Sequence, residues 1–369
     1  LKSKNVLFLT LYTFDLIGGI EKVCRNFLDV FELIKSRASI ANHLTLSLYD
    51  KASPQNNYKA FNGNKVSFAL ETIKQGFKAD VIILSHIHLL IFAKAIRQIN
   101  PKKRIVLIAH GIEVWKPLAS WKVKFLAKLE IWAVSNYTAN QLISLHKIPS
   151  KQISVLNNSL PKDFNFDNEP NSSSAVLAKY NVPADHKILL TTCRLSSFEQ
   201  YKGYDLVLLS LKDLIKAHPN LNYFIVGKAD ENERERIQKL IDRLGISANV
   251  TLTGYVSDEE LEQFYRKTDI FVMPSKSEGF GLVFIEAIGY GCNVIAGNAD
   301  GSTDALLNGE LGLLVDPDDN DAIYNALNTL IVNPPAKTTT AENRQKAIAN
   351  FGFERYAEKV EALITQHAN

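Results

Sequence analysis

The 369 residues are 46% hydrophobic and 22% charged with a net charge of +3. That balance excludes a disordered or fibrous chain, and the length exceeds what one core usually serves, so two domains are expected. The charge is unevenly placed: residues 1–165 hold 23 Lys/Arg against 10 Asp/Glu, and residues 166–369 hold 19 against 29. A basic first half beside an acidic second suits an anionic partner, such as a phosphate-bearing acceptor, a membrane surface or nucleic acid, on the first half alone.

The chain opens on NVLFLTLY at 5–12, an apolar run of strand length, followed by Gly18-Gly19 and a helical pattern from Glu21. The N-terminal stretch itself does not read as a signal peptide. VIILSHIHLLIFAKAI, 81–96, is interrupted by Ser85, His86 and His88, so it reads as strand, turn and helix rather than a membrane span. RIVLIA (104–109) and IWAVS (131–135) are further strands alternating with helices, as in a parallel, doubly wound sheet. The polar stretch 161–174 reads as a linker. After it the pattern restarts with KILLTTCRL (187–195), a helix near 203–217, then NYFIVG, NVTLTGYV and DIFVMPS as strands separated by helices. The expected organisation is α/β, with two Rossmann-like doubly wound domains at 1–165 and 175–350 and a helical segment at 351–369. Ligands of such sheets bind beyond the carboxyl ends of the strands, so the cleft between the domains is the expected site. Cys24, Cys193 and Cys292, odd in number and widely spaced in apolar surroundings, fit a reducing compartment and neither a disulfide framework nor a zinc site.

Chemistry concentrates in SEGFGLVFIEA, 277–287, between strand DIFVMPS and a helix over about 281–289. Gly279 and Gly281 let the backbone approach a ligand. The helix start offers N–H groups and partial positive charge to an anion. Glu286, four residues after Leu282, leans back over that start, and Glu278 precedes the turn. Two carboxylates would repel a phosphate, so they suit neutral hydroxyls, with cations supplied elsewhere. Arg194, at the end of a strand, and Lys202, before Gly203, are those cations. A nucleotide sugar combines both needs. In the first half, Gly18-Gly19 opens a helix that could face a diphosphate, and His110 emerges directly from a buried strand.

In order along the chain, GGIEK (18–22), AHGIEVW (109–115), AVSNYT (133–138), CRLSSFEQYKG (193–203), LTGYVSDEEL (252–261) and PSKSEGFGLVFIEA (274–287) resemble the retaining, GT-B-fold glycosyltransferases of family 4. The resemblance covers nearly the whole chain. It implies a hexosyltransferase that uses a nucleotide diphosphate sugar, in polysaccharide, lipopolysaccharide or glycolipid assembly. Gly19, Arg194, Lys202, Gly281 and Leu282 would hold the donor diphosphate, and Glu278, Gly279, Phe280 and Gly281 the transferred sugar. Glu286 would hold the ribose hydroxyls, and His110 and Glu278 would lie near the reacting centre. The last helix would cross back to the first domain. Where the family carries G-G-x-P-E, this chain has Asp300-Gly301-Ser302-Thr303-Asp304, with Ser302 or Thr303 as the expected helix cap.

Neither a cofactor nor a metal is expected. The D-x-D spacing in DPDDND (316–321) reads as a loop capping the helix AIYNALNTLI, and Arg194, Lys202 and a helix dipole can do a metal's work. WKPLASWKVKFLAKLEIW, 115–132, interleaves Trp115, Trp121, Phe125 and Trp132 with four lysines. It reads as a basic amphipathic helix suited to an anionic membrane surface. The expected partners are therefore the donor, a carbohydrate or lipid-linked acceptor and the inner membrane face. The expected location is the cytoplasm, and no nucleic-acid module is present. Rival readings are a glycoside hydrolase, which gives no reason for the Arg/Lys cradle, a nucleotide-sugar epimerase of GT-B fold, and a non-catalytic nucleotide-sugar-binding subunit.

Overall fold

The computed structural model describes residues 3–165 and 174–365. Most of the expected linker at 161–174, and His367 at the end of the final helical pattern, lie outside the described residues. The chain forms two compact units, 1–163 with 351–369 and 164–350.

The first unit runs β1 (Lys4–Thr10), α1 (Gly19–Ser36), β2 (Ile40–Ser47), β3 (Tyr58–Ala60), α2 (Lys65–Lys78), β4 (Val81–Leu84), α3 (Leu90–Ile99), β5 (Arg104–Ala109), α4 (Ile112–Trp115), α5 (Ser120–Leu126), β6 (Glu130–Ala133), α6 (Asn136–His146) and β7 (Ile153–Val155). The second runs α7 (Ser174–Lys179), β8 (Lys187–Thr192), α8 (Tyr204–Ala217), β9 (Leu221–Val226), α9 (Glu231–Leu244), β10 (Val250–Gly254), α10 (Asp258–Lys267), β11 (Ile270–Met273), α11 (Leu282–Gly289), β12 (Asn293–Gly297), α12 (Ser302–Ala305), β13 (Leu313–Val315), α13 (Asn320–Val332) and α14 (Lys337–Phe351). The final helix, α15 (Phe353–Thr365), belongs to the first unit.

Both sheets are parallel, ordered β3-β2-β1-β4-β5-β6-β7 and β10-β9-β8-β11-β12-β13. Strand order reverses beside β1 in the first and beside β8 in the second. The loops that follow β1, β8 and β11 therefore emerge at crevices formed by chain reversal, where such sheets bind ligands. In the first sheet Leu7 and Leu9 face a core built with Phe68 of α2, Ala93 of α3 and Leu126 of α5. Phe8, on the other face, meets Phe27 and Phe31 of α1. Such two-sided burial explains why β4 and β5 read as continuous apolar runs.

α15 packs on the α1 side. The Tyr356 and Phe27 rings lie 5.7 Å apart, and Arg104 donates from Nη1 to Ile364 O at 2.8 Å and from Nη2 to Leu363 O at 2.7 Å. These bonds satisfy the carbonyls that a helix leaves open at its C-terminus.

The stretch 115–132 is not one amphipathic helix. It ends α4, turns through Pro117, forms the seven residues of α5 and enters β6. Trp132 and Phe125 are buried, and Trp121 alone of its four aromatic residues is exposed.

Candidate functional site

In the second unit, β8 releases the chain into the loop that carries Arg194 and Lys202. Arg194 is exposed and its guanidinium pairs with Glu199. Lys202 ends a 3-10 turn at Gly203, where φ is +81° and an added Cβ would meet Pro274 O at 2.3 Å. Only glycine allows that close approach to the segment after β11. Lys276 N–H, donating to Tyr201 O at 3.0 Å, joins the two loops. Lys202 is thereby brought onto Glu278, and its ammonium donates to Glu278 Oε1. Their side chains are only 14% and 15% exposed. Burial pulls the lysine's pKa down, but the Glu278 carboxylate, helped by Cys193 and Tyr201, outweighs it and holds the group above its ordinary value. Lys202 stays a cation at the mouth of the unit. The Cys193 thiol nearby is pushed up to about 12 by burial.

After Glu278 the chain turns through Gly281 (φ +86°) into α11, and Phe280 is buried. The turn is held from below by Asp300, the residue standing where the family pattern has glycine. Asp300 Oδ2 accepts from Glu278 N–H at 2.6 Å and Oδ1 from Ser302 N–H at 2.9 Å, while Gly301 N–H donates to Glu278 O at 2.8 Å. An added Cβ on Gly301 would lie 2.1 Å from Gly279 O, so the two loops touch backbone to backbone. Burial raises the Asp300 carboxyl to about 6 against the lowering effect of these N–H donors. The expected cap from Ser302 or Thr303 is not formed. Gly301 is the N-cap of α12 with no side-chain cap bond, the Asp300 carboxylate takes the Ser302 N–H, and Thr303 Oγ1 donates to Asp300 O at 3.1 Å.

Glu286 is buried on α11 rather than solvated. Tyr265 Oη donates to its Oε2 at 3.1 Å, lies 3.0 Å from Thr192 Oγ1, and its ring stacks on Tyr290 at 5.5 Å. Glu286 is thus tied to the end of β8, two residues before Arg194. The importance of Tyr265 had no signal beyond an apolar position on α10.

The first unit carries the remaining candidates. Gly19 begins α1, and nothing lies within 4 Å of where a Cβ would stand. The loop leading to it is fixed by buried Asp50, which accepts from Thr13 N–H at 2.9 Å, Asp15 N–H at 3.0 Å, Ser47 Oγ at 2.9 Å and the Tyr58 hydroxyl. His110 donates from Nε2 to Ser85 O at 2.8 Å, since a carbonyl can only accept, leaving Nδ1 as the ring's acceptor. Burial pushes its pKa down to about 4, so the ring is neutral. Its backbone N–H is held by Glu113 Oε1 at 2.6 Å. Glu113 lies in the same AHGIEVW block, three residues on, and no sequence signal beyond that spacing marks it. Burial likewise pushes His86 down to about 4.

DPDDND is a capping loop: Asp319 Oδ1 accepts from Asp321 N–H and Ala322 N–H at the start of α13, and Asp318 pairs with Lys276. Among the described residues no cluster of three His, Cys, Asp or Glu is arranged to hold a metal. No described helix is long and apolar enough to cross a membrane.

Residues 177–349 match the family model of glycosyl transferases group 1. The chain is 27% identical over 276 residues to the GDP-mannose-dependent alpha-(1-6)-phosphatidylinositol monomannoside mannosyltransferase of Mycolicibacterium smegmatis, spanning 71% of this chain and 70% of that protein. It is 33% identical over 173 residues to the D-inositol 3-phosphate glycosyltransferase of Corynebacterium jeikeium. That alignment covers 46% of this chain and 41% of the relative, so less than half of that relative's length is spanned. The crystal structure of Anabaena HepE in complex with UDP overlays 98% of this chain and 99% of its own, with a TM-score of 0.81 at 18% identity. Residues 177–349 are thus similar to the glycosyl transferases group 1, and the chain has the GT-B fold, two Rossmann-like parallel sheets.

Proposed function

We propose that the chain is a retaining glycosyltransferase of family 4. It moves a hexose from a nucleotide diphosphate sugar to an acceptor hydroxyl in cell-surface polysaccharide or glycolipid assembly, lipopolysaccharide included, at the cytoplasmic face of the membrane. The observation that carries this reading is the buried Lys202–Glu278 pair on a turn anchored by Asp300 at the head of α11. A fixed cation and a helix start suit a departing diphosphate, and a fixed carboxylate suits sugar hydroxyls. The GDP-mannose dependence of the mycobacterial relative and the UDP held by Anabaena HepE support a nucleotide diphosphate donor.

In this reading Lys202, Arg194 and the N–H groups of Gly281 and Leu282 take the charge that gathers on the leaving diphosphate, with no metal required, and Gly19 approaches the same phosphates. Glu286, oriented by Tyr265, accepts from the ribose hydroxyls. Glu278 and the 279–281 turn hold the sugar. Neutral His110, its Nε2–H committed to Ser85, accepts a sugar hydroxyl at Nδ1; a pKa near 4 makes it a poor proton acceptor at neutral pH. Proton NMR of the product formed from an α-linked donor tests retention. An α-linked product is expected, and a β-linked product would overturn it.

A further inference from the structure

Six of the twelve large exposed apolar side chains described in the first unit lie on α2, α3 and α5. α2, α3 and α5 cover the same side of the sheet, sharing its core, and the Phe68 and Phe92 rings of α2 and α3 lie 4.8 Å apart. On α2 the inward stripe is Phe68, Thr72 and Gly76. Val66 (71% exposed), Leu70 (66%) and Phe77 form a second stripe, spaced four and seven residues apart, on the opposite, outward side. α3 adds exposed Ile91 (60%) and Ile99, and α5 adds Trp121, whose ring has Lys94 Nζ at 5.1 Å and Lys122 Nζ at 6.0 Å. Folding leaves these groups in water although each helix already has a buried face.

Charge selects the partner. α2, α3 and α5 together hold seven Lys/Arg against one Asp/Glu. A second copy of the chain docked here would set lysines against lysines, and like charges across an interface oppose association. Nucleic acid would answer the lysines but not the outward apolar stripe. A bilayer surface bearing anionic headgroups answers both, taking apolar side chains below the headgroups and lysines at their level.

We propose that the outward face of α2 and α3, with Trp121 at its edge, docks this unit on an anionic lipid surface. The proposal rests on the glycolipid branch of the functional reading for its purpose, but not for its test. It also moves the contact from the 115–132 segment to α2 and α3.

The test is flotation of the full chain with vesicles of pure phosphatidylcholine or of phosphatidylcholine with phosphatidylglycerol. The chain is expected to float with the anionic vesicles only, and to detach as salt rises. Leu70→Glu with Phe77→Glu, and separately Lys74→Glu with Lys78→Glu, are each expected to weaken binding about tenfold or more. Val332→Glu, an exposed apolar position of the second unit, should leave binding unchanged. Circular dichroism and unchanged release of nucleotide diphosphate from soluble donor would show the variants folded, and would separate failure of this proposal from failure of the functional reading. Equal binding to neutral vesicles, no binding at all, full binding by the α2 variants, or a dimer that those variants break would each overturn the proposal.

Discussion

Glu278 and Lys202, whose residue types suit the sugar and the diphosphate of one ligand, are each other's partners in the folded chain, the ammonium donating to Oε1 within a mostly buried pair. With no ligand bound, each neutralises the other. Engaging a donor would require the pair to share its charges with the sugar and the phosphates, so the two residues should respond to mutation in opposite ways.

Lys202→Ala leaves the Glu278 carboxylate buried without its cation. It is expected to lower stability by about 3 kcal/mol and to weaken nucleotide diphosphate affinity about tenfold or more through the lost charge-assisted bond. Glu278→Gln frees the ammonium, so nucleotide diphosphate affinity should hold or rise while sugar transfer falls about a hundredfold. Calorimetry with the diphosphate beside turnover measurements checks both. Equal loss of affinity in the two variants would contradict the pairing.

Asp300 supplies a pH dependence with a definite sign. Its carboxyl, raised to about 6 chiefly by burial, holds the Glu278 and Ser302 N–H groups as a carboxylate above that pH and loses one acceptor oxygen on protonation below it. Activity should fall on acidification with an apparent pKa near 6. In Asp300→Asn it should be lower and flat over the same range. Because the folded pKa lies above the unfolded one, stability is favoured at low pH and lost as pH rises through about 6. The melting temperature of the parent relative to Asp300→Asn should therefore decline from pH 4 to 6. His110, already neutral there, should add no limb near pH 6.5, which pH profiles of His110→Ala would show.

Tyr265→Phe removes the hydroxyl that links Glu286 to Thr192. It is expected to cost about 1 kcal/mol of stability and to weaken binding of nucleosides several-fold while leaving inorganic diphosphate binding unchanged. Competition calorimetry with the two ligands checks this. A matching loss for both would mean that Glu286 does not act on the nucleoside.

β1, β4, β5, β6, β8, β9, β10 and β11 were legible, most of them because burial on two faces makes them continuous apolar runs, and RIVLIA coincides with β5, whereas the short β3, β7 and β12 carried too little pattern to be read. β2 escaped notice, since Asn42 and His43 interrupt it and His43 is buried against Phe31 with Glu32 Oε1 at 3.0 Å. The 115–132 stretch has helical spacing throughout, yet Pro117 breaks it and Trp132 enters β6. In the site, residue types pointed to Lys202, Glu278 and Glu286, but their partners did not follow from local sequence. Asp300 meets a backbone N–H 22 residues away, and Tyr265 meets a carboxylate 21 away, both through loop geometry that only the packed sheet sets. The outward stripe of α2 was hidden because KVSFALETIKQGFK has apolar residues on both faces, and only the fold says which face is covered.

The central claim is nucleotide-sugar-dependent glycosyl transfer, and the most direct measurement is release of nucleotide diphosphate from a panel of nucleotide sugars, with and without carbohydrate and lipid-linked acceptors. The predicted result is release from at least one donor, accelerated by an acceptor and reduced about a hundredfold in Glu278→Gln. No release from any donor with any acceptor, by protein that binds nucleotide diphosphate, would contradict it.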